Sequence, residues 1–185
     1  MTDMPDRSLI KGKSAEPWVE LANGSAFELW QREDEIAYNQ VNRQTEKYRF
    51  FRGVFDFLKE NNVEGDYHEY GCHRCRTFRM ALTEARRHDL EAMKFFAFDS
   101  FSGLPQPSSD PSQRLWSGGA LTTSREQFLN MVREHGIYAD RVVTVEGYYA
   151  NSLTAELRAQ FAAREKPIAL ATIDCDLYES AKPVF

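Results

Sequence analysis

Acidic side chains stand at the ends of four short apolar runs, and they are the residues best placed to do chemistry. The four are Glu69, Asp99, Glu146 and Asp174. A single acid after a strand commonly caps a helix or lies in a solvated turn. In an open parallel sheet, however, the carboxyl ends of the strands meet at one edge, where ligands bind. Four acids in equivalent places therefore predict one shared binding crevice.

The first of these runs continues into a glycine and then a helix. Gly71 allows the backbone to approach a ligand closely, and free N–H groups at the helix start suit a nucleotide-type ligand. Asp99 follows Gly71 by 28 positions, where such folds place an acid that accepts hydrogen bonds from ribose hydroxyls. The dinucleotide motif G-x-G-x-x-G is absent, since residues 72–75 read CHRC. This turn argues against a pyrophosphate and hence against a nicotinamide cofactor.

Two aspartates flank a cysteine in the segment Asp174-Cys175-Asp176. If the strand stays extended through them, both carboxylates point to the same side. Such charges repel unless one is protonated or a hard cation lies between them. Magnesium would fit, and it could lower the pKa of a coordinated substrate hydroxyl. The alternative is that one carboxylate caps a helix beginning near Tyr178. The spacing alone does not decide between a metal site and a helix cap.

The cysteines and two of the histidines carry weaker signals. Cys72 and Cys75 have the C-x-x-C spacing of a redox pair or half a zinc site. No second C-x-x-C exists and Cys175 is distant in sequence, so a structural role is favoured. His88 and His135 have no evident acidic partner, and we expect them at the surface.

The composition excludes several classes of protein. A chain of 185 residues with 42% hydrophobic and 28% charged residues is typical of one globular domain with a real core. A net charge of −5 provides no positive field for nucleic acid or an anionic membrane, so a small-molecule substrate is expected. No membrane span or signal peptide is recognisable. The odd count of three cysteines fits a reducing compartment, and we predict a cytoplasmic protein.

The elements that must position these residues follow from the sequence pattern. Residues 1–61 are predicted to form an N-terminal arm, to about residue 22, and a helical extension of two helices. Residues 62–185 alternate strand-like and helical runs, which predicts an α/β fold with a Rossmann-like doubly wound parallel sheet. Strands are predicted at 67–70, 94–98, 141–145 and 168–173. Helices are predicted at 77–87, at 124–135 with a Ser124 or Thr123 cap, from an Asn151 or Ser152 cap to 164, and at 178–185.

Five segments together resemble one known family. They are YHEYG at 67–71, FAFDSFSGLP at 96–105, WSGGAL at 116–121, VEGYY at 145–149 and IDCDLYESAKP at 173–183. In this order they resemble the macrocin O-methyltransferase (TylF-type) family of class I S-adenosylmethionine-dependent methyltransferases. The resemblance spans about Tyr67 to Phe185.

The resemblance implies roles for the residues at the strand ends. The implied cofactor-binding residues are Glu69 and Gly71 at the methionine part, Asp99 at the ribose with Ser100 beside it, and Glu146 and Gly147 at the adenine. Asp174 matches an acid that binds Mg²⁺ in metal-dependent relatives, and Asp176 would be a second metal ligand or a substrate contact. Both aspartates are therefore candidate catalytic residues.

The implied function is methyl transfer from S-adenosylmethionine to a hydroxyl of a sugar or another natural product, with assistance from magnesium. The acceptor would be selected by residues 106–116 and the N-terminal helical part. Two alternatives remain: a non-catalytic or fragmentary cofactor-binding domain, and a hydroxylase or NAD-dependent oxidoreductase of similar fold. A full class I fold has three further strands, so we expect a truncated chain, a fragment or a partner that completes the sheet. An open fourth strand would favour a homo-oligomer.

Overall fold

A computed structural model describes residues 32–106, 117–164 and 166–185, with side chains described from residue 46 onward. The predicted arm and most of the predicted acceptor loop, residues 107–116, lie outside the described residues. The structure divides into two compact units between Val54 and Phe55. The boundary after residue 61 stays a prediction. Within the described residues, every helix is too short or too polar to span a lipid bilayer.

The first described element is a long helix, α1 (Arg32–Glu60, 29 residues). Two helices are predicted between Ser25 and about Asn61. The structure shows one helix over residues 32–60, and residues 25–31 lie outside the described residues, so the second helix stays a prediction. The helix contains Gly53, whose α-hydrogen faces open space. One exposed glycine costs a helix only about 1 kcal/mol, which is too little to interrupt it.

Four strands form one sheet. They are β1 (Asp66–Tyr70), β2 (Phe95–Asp99), β3 (Val142–Glu146) and β4 (Ile168–Ile173). Their order is β3-β2-β1-β4, and each neighbouring pair is parallel. The predicted parallel sheet is confirmed. Because β2 and β3 lie on one side of β1 and β4 lies on the other, the strand order reverses beside β1, where ligands bind in such sheets.

The helices connect the strands. They are α2 (Arg76–Arg87), α3 (Arg125–His135), α4 (Tyr149–Ser152), α5 (Ala155–Ala163) and α6 (Tyr178–Ala181), with 3₁₀ turns at Ala139–Arg141 and Lys182–Val184. The predicted Ser124 cap is observed, since its hydroxyl accepts a hydrogen bond from the Gln127 N–H. The predicted Asn151 or Ser152 cap is wrong. Two helices form instead, and Thr154 caps the second by accepting from the N–H of Leu157 at 3.2 Å.

Aromatic side chains pack helices against both faces of the sheet. On one face, Phe78 of α2 lies 5.8 Å from the ring of Tyr67 and 5.2 Å from that of Phe128 in α3, between centroids. On the other face, Phe161 of α5 lies 4.9 Å from the ring of His68. Tyr67 and His68 point to opposite faces because side chains alternate along a strand. The doubly wound architecture is therefore confirmed.

Candidate functional site

The ends of the four strands lie side by side at one edge of the sheet. Tyr70 of β1 is in register with Phe98 of β2 and Ile173 of β4, and Asp99 is in register with Glu146. The ladder continues one residue beyond the strands. Its hydrogen bonds run from Gly71 N to Phe98 O at 3.0 Å, from Gly147 N to Asp99 O at 2.9 Å and from Asp174 N to Tyr70 O at 2.9 Å. The strand ends that carry the predicted site residues thus meet at a common edge.

Asp99 clamps the turn that follows β1. Its Oδ2 accepts hydrogen bonds from the backbone N–H of Cys72 at 2.8 Å and of His73 at 3.2 Å. Its Oδ1 accepts from the N–H of Phe101 at 2.8 Å. A carboxylate has about four acceptor positions, so about one remains for a ligand. The side chain is half-buried, which leaves that position within reach of the crevice.

Gly71 is required by the backbone of the neighbouring strand. Its φ is +92°, and a Cβ placed on it would lie 2.4 Å from the carbonyl oxygen of Asp174. Any other residue would collide with the end of β4 and adopt a strained backbone. The glycine therefore lets the β1 turn and the β4 end meet at the edge.

Glu69 lies in the core rather than in the crevice. Its side chain is fully buried, and its carboxylate accepts hydrogen bonds from the hydroxyl of Tyr67 and, at 2.7 Å, from that of Thr77 in α2. Alternation along β1 puts Glu69 on the same inner face as Tyr67, and the contact of Glu69 with the methionine part stays a prediction. Burial, with the nearby Glu69 charge next, raises the pKa of Tyr67 well above its usual value.

The remaining predicted cofactor residues differ in exposure. Ser100 is half-buried and uses its hydroxyl within its own turn, donating to the Gly103 carbonyl at 2.7 Å and accepting from the Ser102 N–H at 3.1 Å. Glu146 is exposed at the end of β3. Gly147 has a φ of +131°, and its carbonyl accepts a hydrogen bond from Ser152 at 3.2 Å. Of these residues, Glu146 presents a side chain to solvent at the edge.

The structure adds Tyr149, to which the sequence analysis gave no separate role. Its hydroxyl donates to the Phe98 carbonyl at 3.1 Å, and its ring packs edge-on against Tyr70 at 6.0 Å between centroids. Burial, with Cys175 the next cause, raises the pKa of Tyr149. The only indication of this residue in the sequence is its position directly after the segment VEGY at 145–148, which spans the end of β3. Tyr149 thus packs over the ends of β1 and β2.

Asp174 and Asp176 are both exposed, but they do not lie on one extended strand. β4 ends at Ile173, so the condition for aiming both carboxylates at one spot is not met. Leu177 holds the N-cap position of α6 and makes no capping hydrogen bond with its side chain, and capping of this helix by one of the two carboxylates stays a prediction. Among the residues the structure describes, no group of three or more His, Cys, Asp or Glu side chains could hold a metal ion.

The C-x-x-C pair is placed inside the protein. Cys72 and Cys75 are buried and are not joined in a disulfide. Burial, and after it the charge of Glu69, raises the pKa of the Cys72 thiol well above its usual value. A redox or zinc function needs an accessible thiolate, so these surroundings favour a structural role.

The two histidines expected at the surface are half-buried and have partners. His88 Nε2 lies 2.6 Å from the Asp56 carboxylate, and its Nδ1 lies 2.7 Å from the carbonyl oxygen of Glu84. His135 Nε2 lies 3.0 Å from the hydroxyl of Thr83. The expectation that His88 has no acidic partner is therefore wrong, whereas both rings remain partly exposed at the surface. Glu84 precedes His88 by one helical turn, a spacing that would have indicated the contact.

The strand order and the helices on both faces are typical of the Rossmann-like fold of class I methyltransferases. Residues 30–185 match the Macrocin-O-methyltransferase (TylF) family, and the chain belongs to this family. No curated protein gives a significant match.

Two solved structures share the fold. The O-methyltransferase NovP has 23% sequence identity and a TM-score of 0.61, over 74% of this chain and 56% of NovP. The calicheamicin methyltransferase CalS11 has 18% identity and a TM-score of 0.58, over 84% of this chain and 65% of CalS11. The chain therefore spans less than two thirds of the length of either protein.

Proposed function

We propose that this chain provides the S-adenosylmethionine-binding part of an O-methyltransferase that acts on a hydroxyl of a sugar or another small natural product. The observation that carries the proposal is the family match over residues 30–185, in a chain whose acids Asp99, Glu146 and Asp174 lie at one edge of the sheet. NovP and CalS11, by their names a methyltransferase each, support the reaction type. The cytoplasmic location and the lack of a nucleic-acid or membrane partner stay predictions from composition.

The proposed cofactor contacts lie along the edge from β1 to β3. The turn at Gly71, held in place by Asp99, would receive the methionine part, and the remaining acceptor position of Asp99 would bind a ribose hydroxyl. Ser100 would shape the adjoining turn. Glu146 and Gly147 would border the adenine, since Glu146 offers an exposed carboxylate to an exocyclic amine. Glu69 would support the cofactor site indirectly, because its hydrogen bonds hold β1 and α2 together.

When bound, S-adenosylmethionine supplies an electrophilic methyl group on sulfur. The chain must align an acceptor oxygen with that methyl and accept the proton that the oxygen loses. Transfer of that methyl would leave the bonding electron pair on the cofactor's sulfur, so the proton of the acceptor hydroxyl is what the chain's own residues would have to receive. We assign the acceptance of the proton and the positioning of the acceptor to Asp174 and Asp176, because both side chains are exposed and the backbone carbonyl of Asp174 lies beside Gly71.

Magnesium assistance stays a prediction. Mg²⁺ is commonly held by one or two carboxylates plus water and substrate oxygens, and Asp174 and Asp176 offer two. The part of the chain that the structure describes gathers no third ligating side chain around them. We therefore derive no step of the reaction through a metal ion.

Isothermal calorimetry of the purified protein with S-adenosylhomocysteine tests the proposal, with NAD⁺ as the comparison ligand. We expect binding of S-adenosylhomocysteine and none of NAD⁺. The reverse preference would support an oxidoreductase, and no binding of either would contradict a cofactor site. Binding without methyl transfer to a panel of sugars and phenols would support the non-catalytic alternative.

A further inference from the structure

His73 joins two parts of the proposed site. Its backbone N–H donates to Asp99 at 3.2 Å, within the turn formed by residues 71–75, which we call the cofactor turn. Its ring Nδ1 lies 2.7 Å from the carbonyl oxygen of Leu121 and 3.3 Å from the hydroxyl oxygen of Thr123. Leu121 follows His73 by 48 positions, so this contact exists only in the folded chain.

The segment that His73 holds is the base of a loop, formed by residues 102–104 and 119–123, which we call the loop stem. The Leu104 N–H donates to the Ala120 carbonyl at 2.9 Å, and the Gly119 N–H donates to the Leu104 carbonyl at 2.8 Å. Thr122 adds a hydrogen bond to the Ser102 carbonyl at 3.3 Å. These bonds join the two sides of the stem. The segment assigned to acceptor selection, residues 106–116, lies between these two sides in the sequence.

The contact with the Leu121 carbonyl defines which nitrogen of the His73 ring carries a hydrogen. A carbonyl oxygen only accepts hydrogen bonds, so Nδ1 of His73 must carry a hydrogen, and Thr123 can accept from the same N–H. His73 and Leu121 both have positive φ, +30° and +59°, which costs a residue with a side chain some strain. Such strain persists where the surroundings define the conformation. The contact therefore joins two turns that are each held in an unusual shape.

We propose that His73 is a positioning residue that couples the cofactor turn to the loop stem, so that a ligand in the cofactor site orders the stem on the acceptor side. This inference rests on the proposed function, because it takes the turn beside Asp99 to be the cofactor site. The side-chain link is the Nδ1–H donor, and the backbone link is the N–H bonded to Asp99.

Two uncharged substitutions separate this role from general packing. His73→Asn places an amide N–H close to the position of Nδ1, whereas His73→Gln places it near Nε2. Hydrogen exchange of the stem amides of Leu104 and Gly119 is measured with and without saturating S-adenosylhomocysteine. In the free protein, we expect exchange to be about tenfold faster in the Gln variant, as for the loss of one hydrogen bond, and close to wild type in the Asn variant.

With S-adenosylhomocysteine bound, exchange of the stem amides is expected to slow in the wild type and the Asn variant but not in the Gln variant. Equal slowing in the Gln variant would overturn the coupling, and equal exchange in all three free proteins would overturn the contact. If the wild type does not bind S-adenosylhomocysteine, the proposed function and the coupling are both overturned. Exchange in the three ligand-free proteins still tests the contact between His73 and Leu121. Independently of any variant, an ¹⁵N spectrum showing the neutral Nε2–H tautomer of His73 would contradict the proposal.

Discussion

The hydroxyl of Thr77 lies 2.7 Å from Oε1 of Glu69, and both side chains are buried. The bond joins the second residue of α2 to the fourth residue of β1. Tyr67 donates to the other oxygen of the same carboxylate and lies 3.0 Å from the hydroxyl of Thr172 in β4. The acid of the first strand therefore connects α2, β1 and β4 directly beneath the proposed site, and it influences a ligand through the position of the Gly71 turn.

This connection predicts a large loss of stability when Glu69 is removed. Glu69→Ala removes the acceptor of the buried Thr77 hydroxyl and one of the two acceptors of the Tyr67 hydroxyl, which keeps Thr172 within reach. A buried group that loses its only acceptor costs about 1–3 kcal/mol, and a weakened one costs less. We expect the free energy of unfolding to fall by about 2–4 kcal/mol in urea titrations. Glu69→Gln retains one acceptor oxygen and should lose less. Glu64→Gln, at an exposed carboxylate, is the matched control, and an equal loss there would contradict the assignment.

Asp99 is predicted to serve both the backbone and the ligand. Asp99→Asn keeps the size of the side chain but replaces one acceptor oxygen by an NH₂ donor. In one orientation of the amide this donor faces the N–H groups of Cys72 and His73, and in the other it faces the N–H of Phe101. We expect the free energy of unfolding to fall by about 1–3 kcal/mol. We also expect the affinity for S-adenosylhomocysteine to fall by about tenfold or more in calorimetry, since one lost charged hydrogen bond has that effect.

The Asn variant must first be shown to be folded at the temperature of the binding measurement. Glu146→Gln is the comparison, because Glu146 lies at the same edge but is exposed. It should change the affinity with little change in stability. Unchanged binding by a folded Asp99→Asn variant would exclude Asp99 from the cofactor site.

Several elements of the fold could be predicted because local signals agree. β4 has the predicted bounds, since Pro167 precedes a short apolar run. α3 begins after the Ser124 cap and ends at Gly136 with φ +72°, a common helix end. The break between α4 and α5 was missed because Asn151, Ser152 and Thr154 are all good capping residues. The choice depends on a contact that the capping propensities do not show, in which Ser152 donates to the carbonyl of Gly147, five positions earlier.

The candidate site could be predicted less completely than the fold. The strand-end positions of the acids follow from the pattern, because parallel strands share one carboxyl edge. The partners of those acids do not follow from it. Asp99 binds backbone groups 26 and 27 positions earlier in the chain, and only the finished fold brings these together. The burial of Glu69, by contrast, was readable from its alternation with Tyr67 along β1.

The magnesium prediction can be tested at the end of β4. If Asp174 and Asp176 share an ion, Asp174→Asn should weaken Mg²⁺ binding by roughly tenfold or more, because carboxylates provide the charge of such sites. Titration of MgCl₂ into the protein saturated with S-adenosylhomocysteine measures this in a calorimeter. Glu179→Gln is a matched exposed control and should leave the titration unchanged. No heat of Mg²⁺ binding to the wild type would rule out the metal site.

The lowered pKa of His68 predicts how the stability of the protein depends on pH. Its side chain is buried among Phe96, Phe98 and Phe161, and this burial lowers its pKa from 6.5 to about 4, against the opposing charge of Asp66. Between these pH values the unfolded chain binds a proton that the folded protein does not, so stability is lost as the pH falls from 6.5 towards 4. The urea midpoint should therefore fall more steeply over this window in the wild type than in His68→Phe. The substitution keeps an aromatic ring in the cluster and leaves every other titrating group in place, so parallel curves would show that His68 contributes nothing to the acid sensitivity.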